Sequence, residues 1–190
     1  AQHLAGVHFG EAGLADETVV IFTADHGQMD GAHAIPNTVK RLPFEESIGV
    51  PLILRDPRRR KPGSRTAEVV GSEDLFPTLL GLAGAAPEPH LPGLDLGTLL
   101  DDATGRLDRP GVLIYLTHHP WTDHPWYRRA WRGLRTRDRM LSFWGERSAP
   151  LGPWHLYDMQ ADPQQLDNLV TRHDAGLATL REALAATMAD

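Results

Sequence analysis

The run Thr18-Val19-Val20-Ile21-Phe22-Thr23 most restricts how this chain can fold. Consecutive β-branched and aromatic residues suit a strand buried on both faces, as in a parallel sheet; a half-solvated strand would alternate with polar residues. The run stops at Asp25-His26-Gly27. Open α/β sheets place their ligands at the carboxyl ends of such strands. Gly27 lets the backbone turn sharply away. Past a strand's end strict alternation lapses, so the side chains of Asp25 and His26 are free to converge. A carboxylate oxygen and an imidazole nitrogen together suit a divalent cation. The plainer alternative is a turn in which Asp25 caps the following backbone and His26 is a solvated loop residue.

The next residues weigh on that choice. His33 follows His26 by seven positions, in Gly31-Ala32-His33; Lys40 comes next, then Phe44-Glu45-Glu46-Ser47-Ile48-Gly49-Val50-Pro51-Leu52-Ile53-Leu54. This order resembles the sulfatase family of the alkaline-phosphatase superfamily. That family shows a buried strand, S/T-x-D-H/N-G, G-x-H, a lysine, and a segment like YEES-x-R-VPLI. The resemblance implies that Asp25 and His26 are metal ligands and that Lys40 is a catalytic and substrate-binding cation on the sulfate. Calcium is the usual ion of the family, and an imidazole ligand also admits manganese or zinc. His33 is the candidate catalytic proton donor to the leaving alcohol, because imidazole is best matched to proton transfer near neutral pH. Two departures stand out. The Asp25-to-Lys40 spacing is slightly longer than the family's, and Gly49 occupies the place of its usual arginine.

Composition bears on the nucleophile. The 190 residues include no cysteine, which excludes disulfides and thiolate metal sites. Sulfatases use a formylglycine made from the cysteine or serine of a C/S-x-P-x-R motif. Neither Ser47-Ile48-Gly49-Val50-Pro51 nor Ser64-Arg65-Thr66-Ala67 fits it. The resemblance therefore covers the C-terminal part of the family's length, with the formylglycine and a first metal-binding Asp pair expected outside this chain, in an N-terminal sulfatase portion. The expected partner is a sulfate-ester small molecule or glycan. A formal net charge of -6 argues against non-specific nucleic-acid binding. No apolar run approaches the ~20 residues that span a bilayer, so no membrane partner is expected. The function implied is that of a metal-dependent sulfuric ester hydrolase, with the chain inactive alone. The alternatives are a phosphodiesterase or phosphonate hydrolase of the same superfamily, or a non-catalytic remnant.

The expected fold class is α/β: the C-terminal part of an alkaline-phosphatase-like α/β/α sandwich over residues 1–105, then a small antiparallel subdomain over 106–190. Residues 1–16 read as a helix end. Residues 28–47 read as a long functional loop, in which Phe44 and Ile48 anchor structural or solvated Glu45 and Glu46. Val50 to Leu54 is a second strand. Ser72 to Gly84 is a helix capped by Ser72 and stopped by Gly84. Beyond residue 110, Gly111 to Thr117 and Trp154 to Asp158 read as strands, and Arg132 to Trp144 as a hairpin across Asp138. Asp174 to Met188 reads as an amphipathic helix, with Leu177, Leu180, Leu184 and Met188 on one face. His118, His119, Trp121, His124, Trp126 and Tyr127 match no metal spacing; they form an ordinary loop or an aromatic rim over the crevice.

Overall fold

The computed structural model describes residues 13–59, 63–86, 88–117, 122–123, 127–172 and 176–187. The helix expected over residues 1–16 falls largely outside them, as do His118, His119, Trp121, His124 and Trp126.

Strand β1 (Val20–Phe22) pairs with β2 (Ile53–Arg55), with Val20 opposite Arg55 and Phe22 opposite Ile53. The pairing is antiparallel, which corrects the expectation of a doubly buried strand in a parallel sheet. Val20 and Ile21 are half-buried, whereas Phe22 is 44% and Ile53 62% exposed. Among the described residues each strand has only the other as ladder partner, so this short ribbon keeps an apolar surface open.

Four antiparallel strands form the second sheet, in the order β3 (Val112–Leu116), β4 (Arg129–Arg135), β5 (Arg139–Glu146), β6 (Gly152–Asp158). The β4–β5 hairpin turns across Asp138 as its sequence suggests: the Thr136 N–H donates to Arg139 O at 2.9 Å, and the Arg139 N–H donates to Thr136 Oγ1 at 2.9 Å. Leu134, Met140, Leu141 and Leu156 are fully buried. Helix α4 (Gly176–Thr187) lies against β4, burying Leu184 and laying Arg181 over the Phe143 ring at 5.4 Å.

Three short helices precede β3, the first between β1 and β2 and the other two between the sheets. They are α1 (Glu45–Ile48), α2 (Leu75–Leu82) and α3 (Gly97–Asp101). A 3-10 turn, Ser72–Asp74, leads into α2, and Gly84 ends it at φ +70°. The expected cap by Ser72 does not form. Asp74 instead closes the 3-10 turn, accepting from the backbone N–H groups of Gly71 at 2.8 Å and Leu94 at 2.9 Å while its two oxygens face Arg109. A carboxylate offers more acceptor sites than a hydroxyl, so Asp74 closes the 3-10 turn before α2 and ties it to the approach to β3.

The main core cluster joins Met29, Leu42 and Phe44, from the stretch between β1 and α1, to Met140, Tyr157 and Met159 of the second sheet. Polar contacts follow the same seam. Glu45 Oε1 pairs with Arg135 Nε at 2.7 Å, and the Glu45 N–H donates to buried Gln165 at 2.7 Å. Trp131 Nε1–H donates to Arg41 O at 2.9 Å. Residues 28–44 are thus seated on the antiparallel sheet. Among the described residues, no helix is long and apolar enough to cross a membrane.

Candidate active site

Asp25 and His26 leave β1 side by side and turn toward each other. His26 Nε2 stands 3.4 Å from Asp25 Oδ2, and the His26 N–H donates to Asp25 Oδ1 at 3.0 Å. His26 Nδ1 lies 2.7 Å from Gly27 O. A carbonyl only accepts, so Nδ1 carries the proton and Nε2 keeps its lone pair. Lys40 Nζ sits on that lone pair at 2.7 Å. His26 Nε2 thus has both the Asp25 carboxylate and the Lys40 ammonium as neighbours. Lys40 reaches it despite the longer spacing from Asp25, because the Met29 N–H donates to Val39 O at 3.1 Å and closes the loop between them.

Gly27 serves this arrangement by close approach. Its N–H donates to Ser47 O at 2.9 Å, and a Cβ there would stand 2.0 Å from Glu46 O. A side chain at position 27 would push the Asp25-His26 end of β1 off α1.

The three residues open onto one crevice of about 1840 Å³, which also takes walls from Arg41, Trp131 and Arg132. The Asp25 side chain is 85% exposed and that of His26 37%. The pair is accessible to an ion and to groups from elsewhere. Among the described residues no three His, Asp or Glu side chains converge on a metal position. A divalent cation would find half a shell here, one carboxylate and one imidazole, and would have to displace the Lys40 ammonium from the imidazole nitrogen.

His33 lies elsewhere. It stacks on Phe44, with ring centroids 4.1 Å apart, and its Nε2 faces Glu46 Oε2 at 3.5 Å. Both atoms are buried and meet no hydrogen-bond partner. Phe44 in turn packs on His155 at 5.1 Å, and His155 Nδ1 lies 3.1 Å from Ser142 Oγ. Burial, and secondarily the charge of His33, holds the His155 imidazole down to about 4. Burial, and secondarily Asp162, pushes the Tyr157 hydroxyl up to about 12. The turn carrying His33 is left-handed at Asp30, Gly31, His33 and Ala34. Such φ values in non-glycine residues cost about 1–3 kcal/mol each and persist only where the surroundings over-determine them. The cluster of His33, Glu46, Phe44 and His155 escaped the sequence reading, whose only signal was the apolar flanking of Glu45 and Glu46.

The family model described as N-sulphoglucosamine sulphohydrolase, C-terminal, matches residues 35–190. The chain belongs to the sulfatase family. The match runs from the turn of the site loop through α4 and fits the C-terminal portion of the superfamily's α/β fold. Arylsulfatase K of Mus musculus is 31% identical over 167 residues, covering 83% of this chain and 28% of that protein. The N-acetylglucosamine-6-O-sulfatase of Bacteroides thetaiotaomicron is 29% identical over 160 residues, covering 83% and 27%. The chain thus spans under a third of the length of these curated relatives. A structure solved in complex with its substrate D-glucosamine-2-N,6-O-disulfate has a TM-score of 0.77 at 24% identity, over 95% of this chain and 35% of that one. Phosphonate monoester hydrolase of Agrobacterium radiobacter has a TM-score of 0.76 at 26% identity, over 95% and 37%.

Proposed function

We propose that this chain supplies the carboxyl-terminal half of the active site of a metal-dependent sulfuric ester hydrolase acting on a sulfated sugar or related small ester. The convergence of Asp25, His26 and Lys40 on one open crevice carries the reading. Asp25 and His26 Nε2 would hold a divalent ion, calcium foremost, with manganese or zinc as the imidazole-tolerant substitutes. When bound, the ion supplies Lewis-acid stabilisation of charge on the sulfuryl oxygens. The Gly27 carbonyl, by accepting from Nδ1–H, would direct the Nε2 lone pair to the ion once the Lys40 ammonium that meets it here moves away. Lys40 would be the substrate contact: its ammonium, which stands beside His26, would turn to the anionic ester oxygens and stabilise the charge that develops there.

The nucleophile, a formylglycine by family, comes from outside residues 1–190, as do the remaining ligands. The chain alone should not turn over an arylsulfate, while the polypeptide extended to include a C/S-x-P-x-R segment should. Turnover by the 190-residue chain alone overturns this account. In the extended protein, Asp25→Ala should abolish calcium-dependent stabilisation and hydrolysis together; unchanged calcium binding refutes the ligand assignment.

The likeness to phosphonate monoester hydrolase favours a second reading, since the same cation and ammonium serve phosphoryl oxygens. Paired aryl sulfate and phenyl phosphonate assays on the extended protein separate the two. A kcat/KM larger for the phosphonate favours the second.

A further inference from the structure

We infer that Arg41 binds a second anionic group of the substrate, a carboxylate or a further sulfate, and so selects esters that carry more than one negative charge. The inference rests on the sulfatase reading of the crevice and deepens it by naming what else the bound ester carries. The backbone of Arg41 is left-handed, at φ +77°. Residues other than glycine and asparagine rarely adopt such angles, because their Cβ crowds the following carbonyl. Both flanking polar groups are nonetheless fixed, each on a different element. The Arg41 N–H donates to Ser47 Oγ in α1 at 3.0 Å, and the Arg41 carbonyl accepts from Trp131 Nε1–H in β4 at 2.9 Å. A glycine would make both bonds at this φ without strain. The backbone therefore gives no reason for a large cation at this position, and the reason lies in the side chain.

Among the described residues the Arg41 guanidinium has no hydrogen-bonding or ionic partner. Acids outnumber bases in this chain, 25 to 19, so carboxylates are not scarce. Other arginines have theirs: Asp74 holds Arg109, Glu45 holds Arg135 and Asp158 holds Arg139. The acids of α1 are turned elsewhere, Glu45 to Arg135 at 2.7 Å and Glu46 to His33 at 3.5 Å. Arg41 is half-buried and lines the crevice that Asp25, His26 and Lys40 also line. That crevice, at about 1840 Å³, has room for far more than one sulfate. In the sulfatase reading the ion and Lys40 take the scissile group. Arg41 is then left for another part of the ester. The planar guanidinium fork pairs with two oxygens of a carboxylate or sulfate at once, and partial burial strengthens the pair relative to open water.

The test uses the protein extended to include a C/S-x-P-x-R segment. The probes are phenyl sulfate, 4-carboxyphenyl sulfate and the disulfates of resorcinol and hydroquinone. Per sulfate, kcat/KM of the parent should be about 10- to 100-fold higher for at least one dianionic ester than for phenyl sulfate, the range of one charged hydrogen-bonded pair, and the effect should lie mainly in KM. A preference for the carboxylate alone assigns a carboxylate site, and one for a disulfate alone a sulfate site. Arg41→Gly, which keeps the left-handed backbone, should bring that ratio to within about twofold of one. Arg41→Lys keeps the charge but loses the fork and should fall between. If the glycine variant does not fold, Arg41→Asn, which also tolerates this φ, decides in its place. No preference in the parent, or a ratio that survives Arg41→Gly, overturns the inference. An equal fall for all four esters does so too, since it places Arg41 on the scissile sulfate or in the fold alone. Calorimetric binding of the same esters keeps the two readings apart. A dianion preference through Arg41 without hydrolysis of any ester overturns the sulfatase reading and upholds the anion site. Hydrolysis of phenyl sulfate with no dianion preference does the reverse.

Discussion

Acid should weaken this protein through His155 before it reaches the carboxylates. The imidazole is 7% exposed, stacks on Trp154 at 4.1 Å and meets Ser142 Oγ at 3.1 Å, and its folded value is held at about 4 against an ordinary 6.5. The folded state thus resists a proton that the unfolded chain accepts. The stability that the neutral ring contributes is complete above pH 6.5, declines as pH falls toward 4, and is flat below. At about pH 4.5 the unfolded imidazole is almost fully protonated and the folded one mostly neutral. The linkage integral then gives a loss of about 2–3 kcal/mol. The perturbation is His155→Phe, which keeps a stacking ring and removes the titration. Its lost contact to Ser142 is a fixed offset at every pH. Urea unfolding of parent and variant at pH 7.5 and pH 4.5 reads the difference of differences. The parent should lose about 2–3 kcal/mol more than the variant over this interval. Equal losses would refute the buried neutral imidazole as the acid-sensitive element.

Other consequences follow from the same packing. Gly27→Ala should destabilise the chain by about 1–3 kcal/mol, because the new Cβ stands 2.0 Å from Glu46 O; a midpoint within error of the parent in urea disproves the close approach. Buried Asp56 is held at about 2, chiefly by the Arg58 hydrogen bond. Its stabilisation is present above pH 3.8 and is lost as pH falls through 2, so Asp56→Asn should flatten the acid limb of the stability curve in that window. Glu45→Ala and Arg135→Ala should show coupling of about 1 kcal/mol in a double-mutant cycle, and additive effects would mean that their 2.7 Å contact contributes nothing.

The meeting of Asp25 and His26 was legible in the sequence because it is local. Asp25, His26 and Gly27 are contiguous at a strand's end, and the strand's apolar run announces where that end lies. Lys40 was legible as a residue type in order, although its approach to His26 depends on a bond between Met29 and Val39 that no local signal records. The antiparallel half was equally readable: the β4–β5 hairpin, β6 and α4 each follow from period and turn chemistry within one segment. The failures share one cause. Whether β1 is covered on both faces, and whether Asp74 or Ser72 closes the turn into α2, is decided by distant residues. The placement of His33 is likewise set by distant residues. Its residue type suited proton transfer, and its contacts with Phe44 and Glu46 turn it inward.

That inward turn bears on how the site is built. A lysine at the end of a fourteen-residue return from His26 has no intrinsic reason to hold its ammonium at 2.7 Å from the imidazole. Side-chain entropy opposes it, since immobilising a lysine costs up to about 1.5–2 kcal/mol. The opposing order is supplied by the second sheet. Met29 is fully buried against Met140 and Met159, and Trp131 holds the Arg41 carbonyl next to Lys40. The antiparallel sheet is thus the platform that makes a loop behave as a rigid arm. A truncation before β3 that leaves Asp25, His26 and Lys40 in place should therefore lose the Lys40–His26 contact. Nitrogen NMR of His26 in such a truncation, compared with the Lys40→Met variant, tests that dependence directly. Retention of the parent Nε2 resonance would show that residues 28–40 hold their shape without the sheet.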